Sequence, residues 1–280
     1  MNRGQEAVRL AREYLLTFRD QGVTEEILAD YLEPKQKDLR PKDINGIYER
    51  LLLSVTNSNM KRQVVNGTIG GIWNLKVILS GFDPAEVKRK FGGDSWAVLD
   101  AIDREVPHTK EIRRGPRSIF TLLSRAIVTG ADFLSQFADA DDFYGWVDLF
   151  DADDRARPAL PMLLGSEVAG YGFPLGCDFL KELGYLNFAK PDVHIKAIVS
   201  GLGFTPPKPS DYSAFKAVIR IADETGFSPY YVDKLLWLVG SGYFYRHPEV
   251  GHKSRIGLHA SDFVAWANEA LAAAGSAVTD

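Results

Sequence analysis

The stretch that decides the fold runs from Gly170 to Ile195 and reads GYGFPLGCDFLKELGYLNFAKPDVHI. Its first seven residues include three glycines, spaced G-x-G-x-x-x-G, which is one residue longer than the spacing of a dinucleotide-binding turn. The residues before it, ALPMLLGSEVA, have a helical pattern, whereas a dinucleotide-binding turn follows a strand. We therefore predict two helices joined by a tight turn that uses the backbone freedom of glycine.

Two interpretations of this turn stay open on the glycines alone. Exposed amides at Gly170 and Gly172, together with the N-terminus of the following helix, are suited to binding a backbone phosphate. Alternatively, the glycines only join two helices that pack against each other.

The composition is that of an ordinary globular protein. The 280 residues are 45% hydrophobic and 25% charged, and no apolar run reaches the roughly 18 residues that a membrane span needs. The first residues, MNRGQEAVRLAREYLL, predict an amphipathic helix rather than a signal peptide. The single cysteine, Cys177, excludes a disulfide framework and a cluster ligated by cysteines of this chain. We therefore expect a cytoplasmic protein, nucleoid-associated if bacterial, without an iron–sulfur cluster.

The charge distribution argues mildly against a nucleic-acid partner, because the net charge is −4 and most such proteins have a basic field. A local basic face can nevertheless coexist with acidic residues elsewhere. Seven aspartates lie between Asp139 and Asp154, in a segment that we interpret as a solvated surface, with DNA mimicry or cation binding as alternatives. Spacings among His247, His252 and His259 match no common zinc pattern.

Hydrophobic periodicity of about 3.6 residues runs through almost every segment, and no alternating strands flank a hairpin turn. We therefore predict an all-α protein with about a dozen helices. One long helix is predicted over 59–79. Shorter helices are predicted after Pro158, at roughly 158–168, 174–183, 192–202, 211–225, 229–240 and 260–274.

Beyond the glycines, the stretch resembles the helix-hairpin-helix (HhH-GPD) DNA glycosylase superfamily, which includes endonuclease III and the 8-oxoguanine glycosylases. The family's hairpin reads roughly L-P-G-[VI]-G-x-K-x-A, followed by an apolar helix and V-D-[VT]-H. With the glycines aligned, Pro174 takes the position of the family's lysine, and Asp192 follows it by 18 residues (192 − 174). A second segment, Leu52–Asn59, is similar to the family's polar segment that fills the space left by an extruded base.

The resemblance implies an all-α fold of two helical lobes with a helix-hairpin-helix motif and no β domain. We expect N-terminal helices over 1–44 that pack with the C-terminal lobe, a helical lobe with the wedge segment over 45–155, and a lobe with the hairpin and catalytic aspartate over 156–280. The similarity is good over about 160–205 and reasonable over about 45–80.

The resemblance also implies the chemistry. An enzyme that acts on a base in duplex DNA first extrudes it, and cleavage of the N-glycosidic bond develops positive charge on the sugar. A carboxylate at Asp192 would stabilise that charge and orient a water, although a role as a helix N-cap is the alternative and the two roles can coexist. Since Pro174 has no amine, we expect a monofunctional enzyme that leaves an abasic site. A lyase that uses Lys181 or Lys190 is the alternative.

Further roles follow from the same resemblance, each with packing or surface exposure as its alternative. The predicted contacts to DNA phosphates are Gly170, Tyr171, Gly172, Gly176 and His194. The predicted wedge is Thr56 and Asn57, and the predicted base pocket comprises Asp178, Trp237 and Tyr243. No metal site made of side chains is expected, and a monovalent cation would bind the carbonyls of Val168 and Gly170.

The expected partner is double-stranded DNA that carries a damaged or modified base, bound by a monomer with no membrane association. Oxidised, alkylated, deaminated and otherwise modified bases all remain open as substrates. Two other classes remain as alternatives: a DNA-binding protein that keeps the hairpin without catalysis, and an unrelated α-helical metabolic or interaction protein.

Overall fold

The computed structural model describes residues 2–34, 40–57 and 61–276. Across these ranges the regular structure is helical, and β pairing is limited to isolated bridges. The prediction of an all-α fold is therefore confirmed. No helix in the described ranges combines the length and the apolar character that crossing a bilayer requires.

The helices follow one another with short connections. In the described ranges they are α1 Arg3–Leu16, α2 Glu25–Leu32, α3 Ile44–Thr56, α4 Lys61–Ile69, α5 Pro84–Phe91, α6 Ser95–Glu105, α7 Ile119–Leu134, α8 Ala140–Asp151, α9 Ala159–Glu167, α10 Phe173–Glu182, α11 Val193–Gly201, α12 Asp211–Thr225, α13 Pro229–Ser241 and α14 Ala260–Ser276. Short 3-10 segments lie at Arg19–Gln21 and Ile72–Val77. The six helices predicted after Pro158 agree with α9 to α14 within two residues at each end.

The long helix predicted over 59–79 is wrong. Residues 59 and 60 lie outside the described ranges, and α4 ends at Ile69. Gly70 and Gly71 follow with φ of +75° and +115°, values that a continuing right-handed helix cannot contain. The chain resumes as the 3-10 segment Ile72–Val77, so the two glycines break the predicted helix.

The chain forms two compact units. One comprises Met1–Lys35 and Gly184–Asp280, and the other comprises Gln36–Leu183. The N-terminal helices thus share a unit with the C-terminal ones, and the hairpin shares a unit with α3 to α8. The division suggested by the sequence instead fell after residues 44 and 155. The hairpin lies in the Gln36–Leu183 unit because α10 packs against both α9 and α3.

In the unit Gln36–Leu183, the central element is α7, which contacts α3, α5 and α6. Its apolar side chains recur at helical spacing and are buried, as for Phe120, Leu123 and Ile127. Gly130 of α7 lets Leu51 and Tyr48 of α3 approach closely, since a Cβ there would lie 3.0 Å from Leu51 Cδ2. This tight contact fixes α3, which ends at the predicted wedge.

In the unit Met1–Lys35 with Gly184–Asp280, α13 is the central helix. It packs against α1, α2, α11, α12 and α14, so that charged groups at Asp233 and Lys234 are buried along with its apolar residues. A buried charge is costly without compensating contacts, and Lys234 has one, since its Nζ lies 3.4 Å from the hydroxyl of Tyr245.

Candidate active site

The turn between α9 and α10 has the predicted tight geometry. Gly170 has φ of +81°, and a Cβ at that position would meet no atom within 4 Å. The amide of Tyr171 donates to the carbonyl of Val168 at 3.1 Å, and the amide of Ala169 donates to Thr129 Oγ1 at 2.9 Å. The turn is therefore closed on itself and attached to α7.

The turn leaves backbone donors unused. Within the described ranges, the amides of Gly170 and Gly172 donate to no protein group. Gly172 is the N-cap of α10, so its N–H lies at the positive end of that helix. Free N–H groups at a helix N-terminus can bind an anion such as phosphate.

Two residues predicted to contact phosphate have packing roles instead. Tyr171 is 6% exposed, and its hydroxyl donates to the carbonyl of Leu51 at 2.9 Å. Gly176 lies within α10 against α9, where a Cβ would stand 2.9 Å from Pro161 Cα. Tyr171 therefore holds the hairpin to α3, and Gly176 lets the two hairpin helices approach.

The predicted wedge residues differ in exposure. Thr56 is 4% exposed, and its hydroxyl donates to Leu53 O at 2.7 Å, so it is fixed inside the unit. Asn57 is exposed at the end of α3. Ser58 and Asn59, the rest of the polar segment, lie outside the described ranges. Asn57 is thus the better placed of the two predicted residues to enter a base stack.

The wedge and hairpin segments meet inside their unit. A small apolar cavity is lined by Thr56 of α3 and by Gly170 of the turn. Its remaining lining residues are Val55, Val65, Ile119, Leu122 and Leu123. Two segments that are 114 residues apart (170 − 56) therefore lie close together, and their joint role in DNA binding stays a prediction.

Asp178, predicted to line a base pocket, is 6% exposed in α10. Its Oδ2 accepts from Asn57 Nδ2 at 3.2 Å, and Arg62 donates to the Oδ1 of the same Asn57 at 3.4 Å. Burial raises the pKa of the Tyr171 phenol, and the charge of Asp178 adds to that rise. The observed contact gives Asp178 a role in orienting Asn57.

Asp192 is the N-cap of α11. Its Oδ1 accepts from the amides of His194 at 2.9 Å and Ile195 at 3.2 Å, and its own amide donates to Lys190 O at 2.8 Å. The carboxylate is therefore held in one orientation by its own helix.

The environment of the Asp192 carboxylate, however, is unfavourable to its charge. Burial raises its pKa, the negative charge of Asp233 raises it further, and the bond from Ile195, the Lys190 ammonium and the His194 imidazole only partly offset this.

Sequence reasoning missed Asp233. It is 2% exposed in α13, and its charge acts on Asp192. The signal was present in YYVDKLLWLV, where an Asp-Lys pair interrupts an otherwise apolar helix. Such buried charges beside a second acid occur at functional sites.

One face of α13 links the acid pair, Asp192 and Asp233, to the predicted aromatic residues Trp237 and Tyr243. Asp233, Trp237 and Gly240 stand at i, i+4 and i+7 and therefore share a face. Gly240 meets α11, because a Cβ there would lie 2.6 Å from His194 Cβ. The half-buried Trp237 stands one turn from Asp233, and its ring centroid is 6.4 Å from that of Tyr243. An acid pair and an aromatic pair thus adjoin within one unit.

Metal binding finds little support among side chains. In the parts of the chain that the structure describes, no group of three or more His, Cys, Asp or Glu residues is arranged to hold a metal ion. The carbonyl of Val168 accepts the amide of Tyr171, and a cation at the carbonyls of Val168 and Gly170 stays a prediction.

The comparisons with known proteins bear on the fold. No family model matches the chain, and the curated proteins give no match. Among solved structures, the chain is similar to the 8-oxoguanine glycosylase/lyase of Methanocaldococcus jannaschii, whose crystal structure contains a 15mer DNA with 8-oxoguanine. The TM-score is 0.50 at 16% sequence identity, over 81% of this chain and 96% of that one. At this identity the likeness confirms the predicted fold.

Proposed function

We propose that this protein is a DNA glycosylase that hydrolyses the N-glycosidic bond of an extruded base. The observation that carries the proposal is Asp192, a carboxylate fixed by two amides of α11 yet desolvated beside Asp233. An N-cap alone requires neither burial nor a second acid. Carboxylates held against their own electrostatic preference are typical of sites where charge develops during a reaction.

The proposal assigns a role to each predicted group. The free amides of Gly170 and Gly172 bind a phosphate, and Asn57 fills the space that the extruded nucleotide leaves. Asp192 stabilises the oxocarbenium character of the sugar and accepts a proton from the attacking water. The water oxygen bonds to the sugar C1′, the C1′–N bond breaks, and the base departs with its electron pair and takes up a proton.

The base itself is expected to contact the face of α13 that carries Trp237. An indole beside a buried carboxylate offers a stacking surface and a hydrogen-bond acceptor for a ring N–H or an exocyclic amine. The structural neighbour was crystallised with 8-oxoguanine, which makes that base the first substrate to test. Oxidised, alkylated and deaminated bases complete the panel.

The test uses duplexes that each carry one modified base. Wild type and Asp192→Asn are incubated with the panel, and abasic sites are then cleaved with alkali. The proposal predicts strand breaks that depend on both the wild-type protein and alkali. Binding of the duplexes without excision of any base would instead favour a non-catalytic helix-hairpin-helix protein, for which the free hairpin amides alone would suffice.

A bifunctional enzyme is the second candidate, and one observation favours Lys190 for it. Lys190 is close enough to Asp192 for its charge to lower the pKa of that carboxyl, whereas Lys181 is 4% exposed within α10. In that reaction the Lys190 amine displaces the base at C1′, and the sugar ring opens to a Schiff base with loss of the amine proton. Borohydride would trap this adduct in wild type and in Lys208→Gln but not in Lys190→Gln. No trapped adduct in any of the three supports the hydrolytic reaction.

A further inference from the structure

A small two-stranded turn follows α13. The amide of Phe244 donates to Ser254 O at 2.7 Å and that of Ile256 donates to Gly242 O at 3.1 Å, while His252 and Arg255 exchange backbone bonds of 2.9 and 3.1 Å. The turn His252–Arg255 that closes this pairing has Lys253 and Ser254 at its centre. Neither is a glycine, yet their φ values are +52° and +65°.

Such a backbone is unfavourable for these residues. A turn with two left-handed positions normally uses Asn-Gly or Gly-Gly, and an L side chain there costs about 1–2 kcal/mol per residue. Backbone outliers of this kind concentrate at functional sites. The result here is that Lys253 is exposed at the tip of a rigid turn.

The cations of the turn have no carboxylate partner in the described part of the chain. In the described ranges, Lys253 and Arg255 are exposed and form no ion pair. By contrast, nearby Arg246 and His247 lie 3.5 and 3.4 Å from a carboxylate oxygen of Asp30. The charges at the turn are therefore available to an external anion.

The turn adjoins the proposed base-binding face. The guanidinium of Arg255 lies 4.4 Å from the centroid of the Tyr243 ring, and that ring neighbours Trp237 at 6.4 Å. Tyr245, 41% exposed, lies 6.0 Å from Tyr243. Alternating cations and aromatic rings are the groups with which proteins hold nucleic-acid backbone and unstacked bases.

We propose that the turn His252–Arg255 is a second DNA-binding element, in which Lys253 and Arg255 contact backbone phosphates flanking the extruded nucleotide. The inference rests on the proposed function, and it adds a contact separate from the hairpin. The unpaired cations and the proximity of Tyr243 and Trp237 to the acid pair favour DNA over an isolated anion. Each phosphate contact releases a counterion, so each makes binding more sensitive to salt.

The test measures binding of a lesion-containing duplex over a range of salt concentrations. Lys253→Asn suits the left-handed backbone, since asparagine adopts it readily, and Arg255→Gln removes the second charge. We expect each change to weaken binding about 5-fold at moderate salt and to reduce the salt slope by about one.

Lys208→Asn is the matched control. Lys208 is exposed in the same unit and also has a left-handed backbone, with φ of +56°, but it lies between Pro207 and Pro209, ahead of α12. The substitution Lys208→Asn should leave both the affinity for DNA and the salt slope unchanged. The inference would be overturned if Lys253→Asn and Arg255→Gln had the same salt slope as wild type. It would also be overturned if the control lost as much affinity as these two variants.

The two proposals fail in different ways. If the wild type excises a base while the turn variants bind like wild type, only the role of the turn is refuted. If the wild type neither binds duplex DNA nor excises any base of the panel, the proposed function fails and this inference with it. Thermal unfolding of each variant near the wild-type midpoint verifies that affinity, rather than folding, has changed.

Discussion

Asp139 and Asp192 occupy the same local position in two different helices. Each is an N-cap with extended backbone, and each accepts a bond from an amide two or three residues on, at 2.9 Å from Asp142 to Asp139 and from His194 to Asp192. Asp139 is exposed, whereas Asp192 is half-buried beside Asp233. The same capping position therefore serves helix formation alone in one case and a proposed reaction in the other.

The acidic segment around Asp139 shows what structural carboxylates look like. Asp151 Oδ1 lies 2.9 Å from Arg157 Nε, and Asp154 Oδ1 lies 2.7 Å from Arg157 Nη1. Arg155 pairs with Asp153 at 3.1 Å and, through its hydrogen bonds, lowers the pKa of that carboxyl to about 2. These acids have cationic partners and solvent, in contrast to Asp192 with its acidic neighbour.

The largest expected effect is the loss of base excision in Asp192→Asn, by about 10²–10³-fold under single-turnover conditions. Asparagine keeps the cap bonds to α11 and removes only the charge, so duplex binding should persist. Asp139→Asn is the matched control and should excise at the wild-type rate. Equal activities of the two variants would refute a catalytic role for Asp192.

A second pair of like residues, two glycines within helices, compares a closely packed position with an open one. Gly176→Ala should destabilise the protein by about 1–3 kcal/mol in urea unfolding, because the new Cβ would stand 2.9 Å from the backbone of Pro161. Gly145→Ala, in the interior of α8 where a Cβ would meet nothing within 4 Å, should stabilise it by about 1 kcal/mol. Stabilisation by both substitutions would show that α9 and α10 are not closely packed.

The contribution of Asp233 is testable through the pH dependence of excision. Since Asp192 must be ionised and Asp233 raises its pKa, activity should fall on the acid side at a higher pH than for an isolated aspartate. Asp233→Asn removes the repulsion and should move this acid limb of the activity profile to lower pH. The excision activity itself should change less at neutral pH than at acid pH. An unmoved limb in the pH profile of kcat/KM would show that the two carboxyls do not interact.

The smallest expected effect concerns stability. Because the pKa of Asp192 is higher in the folded than in the unfolded chain, the folded state binds more protons, and stability falls as pH rises through the interval between the two pKa values. Above that interval, Asp192→Asn should raise the free energy of unfolding by on the order of 1 kcal/mol. Urea unfolding at neutral pH and at about pH 3 should show the gain only at neutral pH. A gain of equal size at both would point to improved capping instead.

Much of the local structure was predictable from the sequence. The helices after Pro158, the glycine turn and the position of Asp192 before α11 depend on nearby residues: apolar spacing, caps and the left-handed backbone of Gly170. The resemblance to the glycosylases implied an all-α fold, which the described helices and the similar solved structure confirm. The prediction of a helix over 59–79 failed because Gly70 and Gly71, whose φ values are positive, interrupt the helix within that range.

The candidate site was only partly predictable, since burial depends on residues distant in the chain. The sequence grouped Gly170 and Gly176 as phosphate contacts, but only Gly170 faces open space. It paired Thr56 with Asn57, although Thr56 is buried. The turn at Lys253 gave no signal, because its residues are not those that a left-handed turn usually requires.

By itself, the sequence determined an all-α chain, the hairpin, a proline where the family that it resembles has a lysine, and an aspartate at the start of α11. These follow from short-range backbone preferences and from side-chain chemistry at fixed spacing. Only the tertiary structure decided that Asp192 is desolvated beside Asp233, which lies 41 residues further along the chain (233 − 192). The strength of a charge depends on the dielectric and the charges around it, and packing between α11 and α13 creates that environment.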